Sequence, residues 1–129
     1  MNEIMQGISA AALGKVTVDD TGTMEGRYCF PDSFAGFAGH FPGHLILPAI
    51  VEILTVVSLV GTQAGSRQRL VAVDDAKFIN PVHPGQELLV RCCPRTVRGK
   101  LLYDARLTVG DTTTATLLLE LAGAGGELP

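Results

Sequence analysis

Residues 48–61 read PAIVEILTVVSLVG, and the fold turns on whether this run is a helix or a strand. Ile50, Val51, Ile53, Thr55, Val56, Val57 and Val60 are β-branched, and by propensity alone a strand would be acceptable. Length decides for a helix, because buried strands rarely run to a dozen residues. Pro48 suits the first turn, where its missing N–H costs nothing, and Gly61 is a plausible stop. The expected element is a central helix over about 48–61. A helix that is apolar on nearly every side must be wrapped by other structure.

Downstream, the period changes from helical to alternating. Leu70 to Ile79, Glu87 to Cys93, Leu101 to Val109 and Thr112 to Leu121 read as strands, with turns at Pro84-Gly85, Arg98-Gly99-Lys100 and Gly110-Asp111. Leu88, Val90 and Cys92 share one face, as do Leu101, Tyr103, Ala105, Leu107 and Val109, and Ala115, Leu117, Leu119 and Leu121 point inward. Upstream, Ile4, Ile8, Ala11 and Ala12 have helical spacing and predict a helix over about 3–13, followed by short strands at 15–18 and 23–30. The tail 123–129, GAGGELP, is expected to fray. An antiparallel meander with one apolar face needs a cover, and the central helix supplies it. The expectation is a single α+β domain over residues 1–129.

Charged residues make up only 18% of the 129, against about 25% in an ordinary soluble domain. The shortfall predicts surface hidden against a second copy of the chain. A net charge of −3 and an aromatic content of 5% without Trp argue against nucleic acid as a partner. The longest apolar stretch, Ala49 to Val60, is interrupted by Glu52 and is shorter than the ~20 residues a bilayer span needs, so no membrane is expected. The opening MNEIMQGISAAALGK lacks the basic start and long apolar run of a secretory signal. Cys92 and Cys93, being adjacent, would point to opposite faces of a strand. With Cys29 they read as reduced packing residues of a cytoplasmic protein.

Between the upstream strand and the helix lies PDSFAGFAGHFPGHLILP, residues 31–48, with three Gly, three Pro, three Phe and two His. A loop this long inside a compact domain is functional or disordered, and this one is too apolar for disorder. His40 is the candidate proton carrier, since an imidazole titrates near neutrality; its alternative is a structural ring satisfied by backbone. His44 reads as structural. Although His40 and His44 stand at i,i+4, Pro42-Gly43 between them forbids the helix a metal pair would need, so neither metal nor cofactor is expected. His83, in a Pro-Gly turn, reads as a solvated loop residue. Glu52 is the one carboxylate in the central helix and must be paired, hydrogen-bonded or protonated. It is either a general acid with a raised pKa or a partner for an arginine or backbone group at a subunit interface. Arg95, Arg98 and Lys100 form either a solvated hairpin tip or a docking point for an acidic carrier protein.

Phe37-Ala38-Gly39-His40-Phe41-Pro42-Gly43-His44, followed by Leu47-Pro48 at the helix start, resembles the signature of the 3-hydroxyacyl-ACP dehydratases of fatty-acid synthesis. Asp74-Asp75-Ala76-Lys77-Phe78 and Pro81-Val82-His83-Pro84-Gly85-Gln86 extend the likeness, which covers roughly residues 23–122. The resemblance implies a hotdog fold, an antiparallel sheet wrapped around the central helix. It implies a catalytic role for His40 at the α-carbon of a 3-hydroxyacyl thioester, with the carbonyl held by the Ala49 amide at the helix N-terminus, where the family usually has Gly. Phe37, Gly39, Phe41, Pro48 and Leu54 would surround the substrate, with Phe37 and Phe41 lining an acyl channel.

The sequence departs from the family at its second catalytic group. The carboxylate falls at Leu54, and the glutamine one turn later falls at Ser58. Glu52 lies about 200° around the helix from Leu54. Three functions follow as expectations. The first is a dehydratase or hydratase, a hydro-lyase of fatty-acid or related acyl metabolism, using His40 alone or with Glu52 and, with leucine at the usual acid position, expected to be weakened. The second is a non-catalytic acyl-thioester binding subunit that partners an active relative. The third, ranked last, is a hotdog thioesterase. The implied partners are an acyl-ACP or acyl-CoA thioester, the acyl carrier protein itself, and a second copy in a homodimer or dimer of dimers.

Overall fold

The computed structural model describes residues 3–37 and 45–127. Its helices are α1 (Glu3–Ala11) and α2 (Ala49–Ala64), with a short 3-10 turn at Ala35–Phe37. The strands are β1 (Ala12–Val18), β2 (Met24–Cys29), β3 (Ser66–Phe78), β4 (Glu87–Val97), β5 (Lys100–Val109) and β6 (Thr112–Glu127). They form one antiparallel sheet in the order β1-β2-β4-β5-β6-β3. The sheet folds around α2, giving the α+β hotdog arrangement.

α2 differs from expectation at both ends. Pro48 is its N-cap, extended at φ −60°, ψ 147°, and offers no side-chain cap. The helix passes through Gly61 and ends at Gly65, which is left-handed at φ 70° and returns its N–H to the Gly61 and Thr62 carbonyls. Gly61 is buried where β3 begins: a Cβ there would lie 3.2 Å from the Ser66 carbonyl oxygen. Its role is close approach rather than termination. α1 is shorter than expected because Ala12 and Leu13 are already paired with Tyr28 and Arg27 in the sheet. The tail expected to fray from residue 123 remains in β6 as far as Glu127, paired with Ser66 at the start of β3.

Val51, Val56, Leu59 and Val60 of α2 pack against the inward row Leu88, Val90, Cys92, Ala105, Leu107, Ala115, Leu117 and Leu119. Each large side chain buried here contributes about 1.5–3 kcal/mol. The β4 and β6 alternations are as expected. β5 departs at its first residues: Leu101 is 51% exposed, while Leu102 is buried on the opposite face. Ala64, the last residue of α2, lines a cleft with Pro94 and Tyr103. Register shifts at Leu70/Ala72 and Val73/Asp75 put bulges into β3, the kind of irregularity that bends a strand. Another separates Leu107 from Thr108 on β5 and leaves Thr114 of β6 as the extra residue. Among the described residues no helix is long and apolar enough to cross a membrane.

Candidate active site

His40, with Gly39, Phe41 and His44, lies outside the described residues; both shoulders of its loop are described. On the upstream side the chain turns tightly, with Phe34 N–H donating to Pro31 O and Phe37 N–H to Phe34 O, each at 3.0 Å. Phe30 and Phe34 meet at 4.8 Å between ring centroids, and Phe34 and Phe37 meet edge to face at 5.7 Å. Phe37 is thus packed in the core as a loop anchor. Gly7 of α1 and Gly36 press on opposite edges of the Phe34 ring; a Cβ would come within 2.5 Å and 2.3 Å of it. The ring cannot swing away from one glycine without meeting the other. Gly7→Ala is therefore expected to destabilise the protein by about 1–3 kcal/mol, an overpacking cost read as a lower urea midpoint with unchanged slope.

The downstream shoulder is tied to the β3–β4 connection. Leu47 N–H donates to Val82 O at 2.8 Å, and His83 Nδ1 lies 3.0 Å from Leu45 O. A carbonyl only accepts, so Nδ1 carries the proton. His83 is exposed, as its turn position predicts, but its ring is not merely solvated: it holds Leu45. Sequence spacing could not reveal this contact, because it joins segments 38 residues apart.

α2 begins between these ties. Val51 and Glu52 N–H both reach Pro48 O, at 2.9 and 3.3 Å, whereas the Ala49 and Ile50 amides precede the first intrahelical bond. Ala49 and Ile50 are exposed, and Pro48 has no side-chain oxygen to cap them. The arrangement suits a carbonyl oxygen that gains negative charge.

Glu52 sits in the first turn of α2, 4% exposed, and accepts a 3.0 Å hydrogen bond from the Thr114 hydroxyl. Within the chain its partner is this hydroxyl; the arginine or backbone partner weighed from sequence was one at a subunit interface. Burial pushes its carboxyl up to about 7, and the Thr114 hydrogen bond opposes that rise. Leu54 is half-buried against the core, and Ser58 opens into a cleft of about 390 Å³ that also carries Ser9, Lys15, Tyr28 and Thr62. Burial pushes the Tyr28 phenol up to about 12, so it is neutral. In the β4–β5 hairpin, Arg95 pairs with Asp104 at 3.1 Å and Lys100 with Glu120 at 3.4 Å. Much of that basic tip is thus compensated within the chain.

The family model of the ApeI dehydratases, ApeI-like, matches residues 16–116. The 3-hydroxyacyl-(acyl-carrier-protein) dehydratase FabZ of Acidiphilium cryptum is 29% identical over 139 residues, covering 96% of this chain and 76% of that protein. FabZ of Thermus thermophilus is 30% identical over 99 residues, covering 68% of this chain and 70% of its own length. With FabZ of Alkalilimnicola ehrlichii, at 32% identity, the match spans only 58% of the relative. Among solved structures, the dehydratase heterocomplex ApeI:P from Xenorhabdus doucetiae superposes with a TM-score of 0.71 at 21% identity, covering 86% of this chain and 96% of that one. At that identity the likeness speaks for the fold. The family match covers most of the sheet and all of α2, and on that ground the chain belongs to the ApeI-like dehydratase family.

Proposed function

We propose that the protein dehydrates 3-hydroxyacyl thioesters carried on ACP or CoA. The observation that carries this reading is Glu52, a buried carboxyl pushed up to about 7 and placed in the first turn of α2, three residues from the free Ala49 amide. An acid of this kind is half protonated at neutral pH, where a proton donor works best. The thioester carbonyl accepts the Ala49 N–H. His40 removes the proton from C2, and negative charge gathers on the carbonyl oxygen at the positive end of the helix. The C2–C3 double bond forms as the C3–O bond breaks, and Glu52 gives its proton to the departing hydroxyl, which leaves as water. The proton taken by His40 then returns to Glu52 through solvent. Free thiols at Cys29, Cys92 and Cys93 suit work in a reducing compartment, the cytoplasm. The test is hydration of a trans-2-enoyl-ACP followed by loss of enoyl absorbance. Activity in the wild type and its loss in His40→Ala support the reading; no turnover on ACP or CoA substrates removes it.

A second reading rests on Leu54, which puts a leucine where the family's carboxylate falls. On this reading the chain binds the thioester without turning it over and lends its site to an active relative. Tight binding of an acyl-pantetheine amide without hydration of the enoyl thioester would favour it.

The active unit is a homodimer formed along β3. That strand is an outer strand of the sheet, with β6 as its neighbour, and exposes Val71 and Val73 at 43% each and Phe78 at 44%; Ile79, just past its end, is 56% exposed. An edge of 13 residues with apolar side chains is a template for pairing with a second copy. Val73→Arg is expected to turn a dimer into a monomer in sedimentation at micromolar concentration. A wild-type monomer under those conditions overturns this assignment.

A further inference from the structure

β6 holds one residue more than β5 needs. Leu107 faces Ala115 and Thr108 faces Thr113, so Thr114 has no partner across the ladder. Strict alternation would send its side chain outward, because Ala115, Leu117 and Leu119 occupy the inward places. The bulge instead turns Thr114 inward beside Ala115, the two at 1% and 0% exposure. Its carbonyl accepts from Ile79 N–H at 2.8 Å and Asn80 N–H at 3.2 Å, and Asn80 Nδ2 donates to Thr113 O at 2.9 Å. The chain leaving β3 thus pins the bulge in place.

The Thr114 hydroxyl lies between two acceptors, Glu52 Oε1 at 3.0 Å and Leu107 O at 3.2 Å. A hydroxyl has one proton to donate and can also accept. An ionised Glu52 only accepts, so the hydroxyl must donate to it. A protonated Glu52 can donate to Thr114 Oγ1, which frees the hydroxyl proton for Leu107 O. The other titratable groups turned into this core are Tyr28 on β2 and Cys92 on β4, both pushed up to about 12 by burial and neutral. The inward positions of α1, β5 and β6 are Ile8, Ala11, Ala105, Leu107, Ala115, Leu117 and Leu119, and β3 contributes Leu70 and Ala76. Among the described residues, no charged group faces Glu52 from these elements.

We propose that Thr114 is the positioning residue for the Glu52 carboxyl, and that its hydroxyl turns from the Leu107 carbonyl to Glu52 when the carboxyl ionises. As a contribution to catalysis, this rests on Glu52 serving as the acid; as a description of the carboxyl, it does not. The bulge matters because without it β6 would present only Ala115 and Leu117 at this level, and Glu52 would have no hydroxyl to hold it.

The test is a titration by NMR of protein carrying 13C at glutamate carboxyls and backbone carbonyls, with Glu52 assigned by its loss in Glu52→Gln. In the wild type, the Leu107 carbonyl signal is expected to move with the same midpoint as Glu52. In Thr114→Val, which keeps the shape and the β-branch, the Glu52 midpoint should rise by about one pH unit or more, because a hydrogen bond donated to the ionised form is gone. The Leu107 response should vanish, and Thr114→Ser should restore both. Thr114→Ala is the second variant if valine disturbs the fold. An unchanged Glu52 midpoint, or a Leu107 carbonyl that does not titrate with Glu52, overturns the proposal. If the enzyme turns over, the alkaline limb of its pH profile should move with the same midpoint in each variant. If the protein hydrates no enoyl thioester, the catalytic reading fails while the carbonyl titration still decides the role of Thr114.

Discussion

Glu52→Gln is expected to make the protein more stable above neutral pH and to leave it nearly unchanged in acid. The carboxyl moves from 4.5 to about 7 on folding, so between these values the folded protein binds a proton that the unfolded chain releases. Stability contributed by this group is therefore full below about pH 4.5, falls as pH rises toward 7, and stays at its lower level beyond. At 1.36 kcal/mol for each pH unit, the penalty at pH 8.5 is on the order of 3 kcal/mol. In a domain of this size that corresponds to a Tm change on the order of 10 °C. Glutamine has the shape of the protonated acid, can still meet the Thr114 hydroxyl, and never ionises. Thermal unfolding of wild type and variant at pH 8.5 and pH 4 measures the difference. An equal loss of stability at both values would show that Glu52 is a packing residue whose charge state does not matter to the fold.

If Glu52 serves as the proposed acid, this cost is what the chemistry requires, since an amide would fill the same space at lower cost. The first turn of α2 gives that cost a place in a mechanism. The exposed Ala49 and Ile50 amides stand at its entrance, and the His83–Leu45 and Leu47–Val82 contacts hold the chain that leads into it.

What was legible in the sequence is what depends on one element at a time. The length of the apolar run from Ala49 onward pointed to a wrapped helix, and the inward rows of β4 and β6 followed from their alternation. The GHFPG segment led to the family, and its position before Pro48 placed the candidate site at the start of α2. What was hidden depends on two elements meeting. Gly61 looked like a stop because glycine ends helices, but the β3 backbone passing close to it is invisible in the sequence. Leu101 kept the alternation of β5 yet is exposed, while its neighbour Leu102 is buried. His83 looked idle because its acceptor belongs to another segment. The role of Thr114 is hidden for the same reason. A bulge is a mismatch between two strands, and nothing in Thr112-Thr113-Thr114 shows which threonine will turn inward. The partner of Glu52 is set by how β5 and β6 align.

The catalytic prediction has the larger effect. Glu52→Gln and His40→Ala are each expected to lower dehydration of a 3-hydroxyacyl-ACP by about 10²–10⁴-fold, the usual contribution of a positioned acid or base. On the proposed mechanism, dehydration needs Glu52 protonated, so the wild-type rate should fall as pH rises through about 7. It also needs His40 neutral, so the rate should fall again toward acid as the imidazole takes up a proton. The result is a bell whose alkaline limb belongs to Glu52, and Glu52→Gln should remove that limb along with most of the rate. The double variant should be little slower than the slower single, because an acid and a base acting on one substrate fail together. Leu54 makes the experiment sharp. If Glu52→Gln leaves turnover and its pH profile untouched while His40→Ala abolishes it, the proton for the departing hydroxyl comes from elsewhere, and Glu52 loses its role. If neither variant changes a negligible rate while the acyl-pantetheine amide still binds, the leucine at the family's acid position marks a subunit that holds thioesters for another enzyme to dehydrate.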